Sequence, residues 1–190
     1  MKRISNYVSA AFLGALLLCP CSLLRAQDTS NQHMDTGAKK MMKSSDTTFA
    51  TKAAQGGLAE VKMGQLAADK ASNPDVKAFG QQMVDDHTKA NDQLKSVAQS
   101  ENMTLPTDVN AKQQAMYDKL SQLSGADFDK AYVKGMVMDH QEDVKEFQKE
   151  ANSGKDPQIK SFASQTLPVI QGHLDKIKAI QAKMSGSATM

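Results

Sequence analysis

Four residues that could bind a metal ion lie near the middles of four apolar segments: Glu60, His87, His140 and His173. Hydrophobic residues recur three and four positions apart in each segment, which is the pattern of a helix with one face on a core. The four polar side chains fall on these apolar faces, so we expect them to meet at one depth. Imidazole and carboxylate together suit Zn(II), Fe(II) or Cu(II). The spacing therefore predicts a metal site, for copper, zinc or iron, inside a helical core.

Two methionines bear on the choice of metal. Met83 lies four residues before His87, and Met136 lies four before His140, so each thioether is one helical turn from an imidazole on the same face. Thioether sulfur suits copper, which makes both methionines weaker candidate ligands. Methionine is also an ordinary filler of helical cores. The sequence leaves these two interpretations open.

A metal-free explanation of the same polar layer is also open. Glu60 could accept hydrogen bonds from one or two histidines and so fix the register of the helices without any ion. The chain would then be a non-enzymatic envelope or stress-associated interaction protein whose Glu/His layer is structural. Asp86 and Asp139 each precede a histidine, and we expect them to orient the imidazole of a neighbouring helix if a metal binds. Otherwise they are solvated carboxylates.

The sequence leans against an enzyme of the di-iron oxidase type. Such sites use Glu-x-x-His on two helices and a further glutamate on each of the other two. Val84, Val137 and Ile170 stand three residues before the histidines, where these glutamates would be needed. Enzymatic activity therefore stays uncertain, and no catalytic residue is assigned.

Helices A and B have recognisable starts. Helix A is predicted from about Thr47 to Lys70, with Ser45 or Asp46 as its N-cap. Helix B begins at Asn73-Pro74, an N-cap followed by a proline at the first helical position. Their predicted core-facing residues are Phe49, Ala53, Gly57, Glu60, Gly64, Ala67 and Ala71 in helix A, and Val76, Phe79, Met83, His87, Ala90, Leu94 and Val97 in helix B.

Helices C and D follow a connection over about residues 102–125, which carries a short amphipathic segment around Met116, Leu120 and Leu123. Helix C is expected to begin near Ala126, with Ser124 and Asp127 in the capping relation, and helix D at Asp156-Pro157. Their predicted core-facing residues are Val133, Val137, His140, Val144, Phe147 and Ala151 in helix C, and Ile159, Phe162, Thr166, Val169, His173, Ile177, Ile180 and Met184 in helix D.

The starts of helices B and D repeat one pattern. Residues 74–82 and 157–165 share P-x-[VI]-K-x-F-[GA]-x-Q, which indicates equivalent helices. Two short connections and one long crossover between helices B and C are typical of the ferritin-like four-helix bundle. We therefore predict an all-α bundle over residues 46–184, with a short extra helix in the crossover and a disordered tail over 185–190.

The first 26 residues have the layout of a secretory signal peptide. Lys2 and Arg3 precede an apolar run over residues 8–18, and cleavage after Ala26 is the simplest interpretation. Cleavage would remove both cysteines and leave no transmembrane segment. A lipoprotein site is a poor match, because Leu18 precedes Cys19 where a small residue is expected. Residues 27–45 are polar and lack periodicity, so they are predicted to be a flexible linker.

The charge of the exported chain excludes one class of partner. Without the first 26 residues, 20 basic side chains face 21 acidic ones. A nearly neutral chain lacks the basic surface that nucleic-acid binding requires. The sequence identifies no protein partner.

Three separated motifs resemble one family, namely residues 56–91, 123–140 and 166–174, which contain GGLAEVKMGQLAADKASNPDVKAFGQQMVDDHTKAN, LSGADFDKAYVKGMVMDH and TLPVIQGHL. They are similar to the exported bacterial proteins of domain of unknown function 4142, often described as outer-membrane proteins. The resemblance covers about residues 46–184. It implies a ferritin-like helical bundle and export to the periplasm or the outer membrane, and it implies no established activity.

Overall fold

The computed structural model describes the backbone of residues 30–186 and the side chains of residues 45–186. The described part of the chain is all-α, as predicted, with five helices and no strand. They are α1 (Ser30–Lys70), α2 (Pro74–Ser100), α3 (Ala111–Ser121), α4 (Gly125–Ser153) and α5 (Pro157–Gly186). The predicted signal peptide lies outside the described residues. None of the described helices is both long and apolar enough to cross a membrane.

Two helical hairpins form the bundle. α1 packs along α2, α4 packs along α5, and α2 also contacts α5. The crossover between the hairpins contains α3, whose start has a capping box between Asn110 and Gln113 and whose Leu120 is buried. The predicted four-helix bundle with a long crossover and a short extra helix is confirmed.

The two Pro-containing starts fold alike. The Asn73 side chain accepts hydrogen bonds from the backbone N–H groups of Asp75 and Val76, at 2.8 and 3.4 Å. Asp156 Oδ1 accepts from Gln158 and Ile159 at 2.9 and 3.1 Å. Each side chain pairs two of the N–H groups that a helix start leaves without partners. Both predicted starts are therefore confirmed.

Each hairpin also holds the turn of the other hairpin through a buried aspartate. Asp46 on α1 accepts hydrogen bonds from the backbone N–H groups of Lys155 and Asp156, in the turn between α4 and α5. Asp129 on α4 accepts from the N–H groups of Ser72 and Asn73, in the turn between α1 and α2, at 3.1 and 2.8 Å. Both aspartates are 2% exposed. These two carboxylates tie the hairpins together reciprocally.

Three local predictions differ from the structure. α1 begins at Ser30 rather than near Thr47, so residues 30–45 are helical where a flexible linker was predicted. Strong helix formers over residues 38–43 allow an existing helix to propagate without an apolar stripe. Asp46 consequently lies inside α1 and caps the other hairpin instead of its own helix. Ser124 stands at the N-cap of α4 but makes no side-chain capping hydrogen bond.

The end of the last helix, and the face that it turns to the core, also differ from the prediction. α5 continues through Ser185 and Gly186, which were predicted to begin the disordered tail, and residues 187–190 lie outside the described residues. Val169 is 44% exposed, whereas its neighbour Ile170 is 1% exposed and faces the core. The true period of 3.6 residues per turn places Ile170, not Val169, between Thr166 and His173 on the buried face.

The core consists of two apolar clusters with a polar layer between them. Along α2, α4 and α5, the polar residue separates side chains of one cluster from side chains of the other, and on α1 the change falls between Ala54 and Ala59, directly before Glu60. Met83 and Leu94 flank His87 in this way, and Val137 and Phe147 flank His140. The four polar residues thus lie at one level of the bundle.

Candidate metal centre

Glu60, His87, His140 and His173 converge from α1, α2, α4 and α5 and are almost completely buried. Their exposed fractions are 1, 6, 0 and 1%. The three imidazole rings lie 5.4 to 6.1 Å apart between centroids. One nitrogen of each ring lies within 4.8 Å of the corresponding nitrogen of the other two. Three neutral imidazoles at this separation could share one metal ion.

Glu60 supplies a negative charge beside the rings. Its Oε2 lies 2.8 Å from His87 Nε2, and its Oε1 lies 3.3 Å from His140 Nδ1. Burial opposes ionisation of this carboxyl, but the charges of His87 and of the other two imidazoles outweigh burial and lower the pKa of Glu60 to about 2. Glu60 is therefore a carboxylate, and it brings a negative charge into the layer.

Two of the histidines have their tautomers fixed by partners outside the layer. His140 Nδ1 lies 3.0 Å from the carbonyl oxygen of Met136, which can only accept, so Nδ1 carries the proton. His173 Nε2 lies 2.9 Å from Asp86 Oδ2. The pKa of Asp86 is lowered despite burial by hydrogen bonds from His173 and Gln82, so Asp86 also accepts. The lone pairs of His140 Nε2 and His173 Nδ1 remain available for a metal ion.

The pKa values of these two rings favour the neutral form. Burial lowers the pKa of His140 and of His173, and the neighbouring His87 lowers both further. His87 behaves differently, because the charge of Glu60 outweighs burial and raises its pKa. A metal ion at this centre would have to displace a proton from His87 alone.

Each histidine keeps one buried nitrogen without a hydrogen-bond partner: His87 Nε2, His140 Nε2 and His173 Nδ1. His87 Nε2 is close enough to Glu60 for an ion pair, but the pair lacks the alignment of a hydrogen bond. Glu60 Oε1 is likewise without a hydrogen bond, since the proton of His140 Nδ1 is directed to Met136. Buried polar atoms are normally paired, so these four atoms are the ones that a bound ion or water could contact.

Two further polar residues adjoin the centre: Asp143, which sequence reasoning missed, and Thr166, which was predicted to face the core but not to belong to the site. Both line a small internal cavity of about 20 Å³ together with Glu60 and His87. Thr166 Oγ1 is another buried atom without a hydrogen-bond partner. A volume of this size holds about one water molecule or one ion. Asp143 could have been found from Glu60, because the same 83-residue offset relates Asp46 to Asp129, Glu60 to Asp143 and Pro74 to Pro157.

The remaining predicted site residues occupy three different surroundings. Asp86 contacts an imidazole of the layer, as described above. Asp139 belongs to a group of carboxylates with Glu60 and Asp143. Met83 and Met136 are fully buried among the apolar side chains of the larger core cluster. Their role as metal ligands stays a prediction.

Structural comparison places the fold among helical proteins of unknown function. The DUF305 fragment from Deinococcus radiodurans superimposes with a TM-score of 0.65 at 11% identity, covering 73% of this chain and 96% of that one. A DUF305 protein from Streptomyces coelicolor, named as a candidate secreted protein, gives 0.63 at 13% identity, covering 74% and 94%. At these identities the likeness concerns the fold alone.

Sequence comparison identifies a family. Among curated proteins, none matches this sequence. Residues 31–180 match the family described as domain of unknown function (DUF4142), which agrees with the resemblance of the three motifs. This chain therefore belongs to the DUF4142 family.

Proposed function

We propose that this protein binds one transition-metal ion through His87, His140 and His173, with Glu60 beside them as the charge-balancing carboxylate. The observation that carries the proposal is the set of three buried imidazole nitrogens, one per ring, that have no hydrogen-bond partner. Three neutral nitrogen donors and a carboxylate suit the borderline ions of copper, zinc and iron.

The metal-free network explains the layer less well. A polar network that stabilises a helical core is expected to pair all of its members, because each unpaired buried polar atom costs about 1–3 kcal/mol. Here Glu60 Oε1, Thr166 Oγ1 and one nitrogen of each histidine stay unpaired in the same small region. A bound cation would satisfy the nitrogens and the carboxylate together.

The surroundings of the centre support binding more than catalysis. The ligand atoms are almost fully buried, and the adjoining cavity is too small for a substrate. If Glu60 also coordinates the ion, the set of four ligands is closed, as in structural sites, whereas catalytic sites keep an open position. We therefore propose a non-enzymatic metal-binding protein of the periplasm or the outer membrane, on the basis of the predicted signal peptide and the family.

Metal titration of the mature chain, residues 27–190, tests this proposal. Zn(II), Cu(II) and Fe(II) are added separately, and bound metal and the melting temperature are measured. We expect one equivalent of at least one of these ions to bind and to raise the melting temperature, since an ion held at 100 times its Kd stabilises the folded state by about 2.7 kcal/mol. Binding should weaken at least 100-fold in His140→Ala and in His173→Ala.

His33→Ala is the matched control, because His33 is the one remaining histidine and lies outside the four-residue layer. Its affinity should equal that of the parent. Helical circular dichroism at the titration temperature establishes that each variant is folded. Absence of bound metal at micromolar concentrations, or unchanged affinity in both core variants, would contradict the proposal.

A further inference from the structure

Two consecutive glycines of α1, Gly56 and Gly57, line the internal cavity that reaches Glu60 and His87. A glycine inside a helix destabilises it relative to alanine, so close packing or a need for space is expected to compensate. A Cβ atom on Gly57 would collide with the side-chain amide of Asn91, whereas a Cβ atom on Gly56 would meet none of the described side chains within 4 Å. Close packing therefore explains Gly57 and does not explain Gly56.

Gly56 lies where the internal cavity meets a cleft at the surface. The cavity has a volume of about 20 Å³ and the cleft one of about 160 Å³. They share four lining residues, two from α1 and two from α4: Ala53, Gly56, Asp143 and Phe147. Residues of α3 form a third wall of the cleft. The two spaces are thus adjacent, and the way from the surface to the histidine layer passes Gly56, between α1 and α4.

The other side of α1 is closed by a side chain. A surface groove of about 530 Å³ lies between α1, α2 and the segment that follows α2, and Asn91 lines both this groove and the internal cavity. Asn91 packs against the bare backbone of Gly57, where a larger residue would leave it no room. The Asn91 side chain therefore fills the space between groove and cavity, while the space at Gly56 stays open.

We propose that the opening at Gly56 is the path by which a metal ion enters and leaves the histidine centre, and that the absence of a side chain at this position keeps the path open. The inference rests on the proposed function, because the ion is the one proposed to bind His87, His140 and His173. A centre inside a close-packed core requires a path of this kind if ions are to exchange without unfolding.

Shape defines this path, and charge does not. The wall of the cleft carries side chains of both signs, namely Lys52, Lys112, Asp139, Glu142, Asp143 and Glu146. Gly56 has neither a charge nor a ligand atom. A larger residue at position 56 would therefore narrow the opening and leave the four polar residues of the layer unchanged.

A series of side chains of increasing size at position 56 tests the path. Uptake and release of Zn(II), Cu(II) and Fe(II) by the mature chain are each followed by stopped-flow absorbance, with a chromogenic chelator as the reporter. Gly56→Leu and Gly56→Phe should slow uptake and release together by about tenfold or more. Gly56→Ala should lie between them and the parent. The Kd should stay unchanged throughout, because an obstacle in a path raises the barrier equally in both directions.

Gly172→Leu is the matched control. Gly172 on α5 is also surrounded by open space, and it lies outside the residues that line the cavity and the cleft. Helical circular dichroism and the melting temperature establish that each variant is folded. Rates equal to those of the parent in Gly56→Leu and Gly56→Phe, or equal slowing in Gly172→Leu, overturn the path and leave the histidine centre standing. A parent that binds none of the three ions overturns the histidine centre, and the path with it.

Discussion

The three core histidines differ in the groups that contact their nitrogens. In His140 and His173, the nitrogen opposite the unpaired one contacts a backbone carbonyl of the same helix and a carboxylate from α2, respectively. In His87, the charge of Glu60 lies beside Nε2, which is the unpaired nitrogen itself. The geometry of His140 is thus set within α4, whereas that of His173 depends on the packing of α5 against α2. Changes at Asp86 should therefore act on His173 through its hydrogen bond, while on His87 they act only through charge, since Asp86 helps to raise the pKa of His87.

Asp86→Asn should weaken the proposed metal binding by about 10- to 100-fold, which is the usual effect of removing a carboxylate that orients a ligating histidine. The side chain keeps its size, so helicity and melting temperature without metal should change little. Competition with a chelator measures the affinity. Asp85→Asn is the matched control, because Asp85 is the exposed neighbour and bonds only Gln81 among the contacts described. Equal affinities of the two variants would contradict the role assigned to Asp86.

Glu150 should give the protein a pH-dependent stability unrelated to metal. Burial, with the nearby charge of Asp46, raises the pKa of Glu150 from 4.5 to about 7. The folded state therefore holds this proton more tightly than the unfolded state. The resulting stabilisation is complete below pH 4.5 and disappears as the pH rises toward 7.

Glu150→Gln should remove this loss and make the protein about 1–2 kcal/mol more stable than the parent at pH 8. Urea unfolding at pH 4.5, 6 and 8 measures the difference, and Asp175→Asn controls for removal of a surface charge. If the free energies of unfolding of Glu150→Gln and the parent differed by the same amount at all three pH values, the pKa of Glu150 would not be raised by folding.

At the residue scale, sequence reasoning located the polar residues that lie on apolar stripes, because burial follows directly from helical period. The role of Asp143 was not predicted, since an aspartate beside the apolar stripe is usually solvated. The roles of Asp46 and Asp129 were not predicted for another reason. Their partners lie in the other hairpin, and the spacing of residues along one helix does not reveal contacts with a distant element.

At the scale of elements, α1 and α2 approach each other closely at two glycines. A Cβ atom on Gly64 would lie 2.8 Å from the carbonyl oxygen of Gly80, and a Cβ atom on Gly80 would lie 2.7 Å from the carbonyl oxygen of Gly64. These are backbone atoms, so the helices themselves would have to separate.

Gly64→Ala and Gly80→Ala should each destabilise the protein by about 1–3 kcal/mol, as expected for overpacking. Gly172→Ala is the matched control on α5, because a Cβ atom there meets nothing within 4 Å. That exchange should stabilise the helix by up to about 1 kcal/mol. Chemical denaturation compares the three. A gain of stability in Gly64→Ala would show that the helices are farther apart than described.

Element boundaries were predictable where the chain carries a specific signal. Asn73-Pro74 and Asp156-Pro157 fix their helix starts, because a side-chain acceptor and a proline favour the same geometry. The start of α1 carries no such signal. A polar segment with several lysines and methionines extends the helix at little cost, so neither periodicity nor capping marks Ser30.

For the whole molecule, the arrangement of helices followed from connection lengths and the repeated helix start. Short connections join neighbours, and the long crossover allows α4 to lie where a simple up-and-down order would not place it. Which polar atoms remain unpaired could not be predicted, because pairing depends on the rotamers of four helices at once.

The reciprocal aspartates have a consequence for how the chain assembles. Asp46 supplies a hydrogen-bond acceptor to the turn of the second hairpin, and Asp129 supplies one to the turn of the first. Each half alone would leave its turn N–H groups without these acceptors, so neither hairpin is complete by itself. Two fragments separated within residues 104–109 should therefore recognise each other and rebuild the bundle, as expected of a structure composed of two interdependent halves.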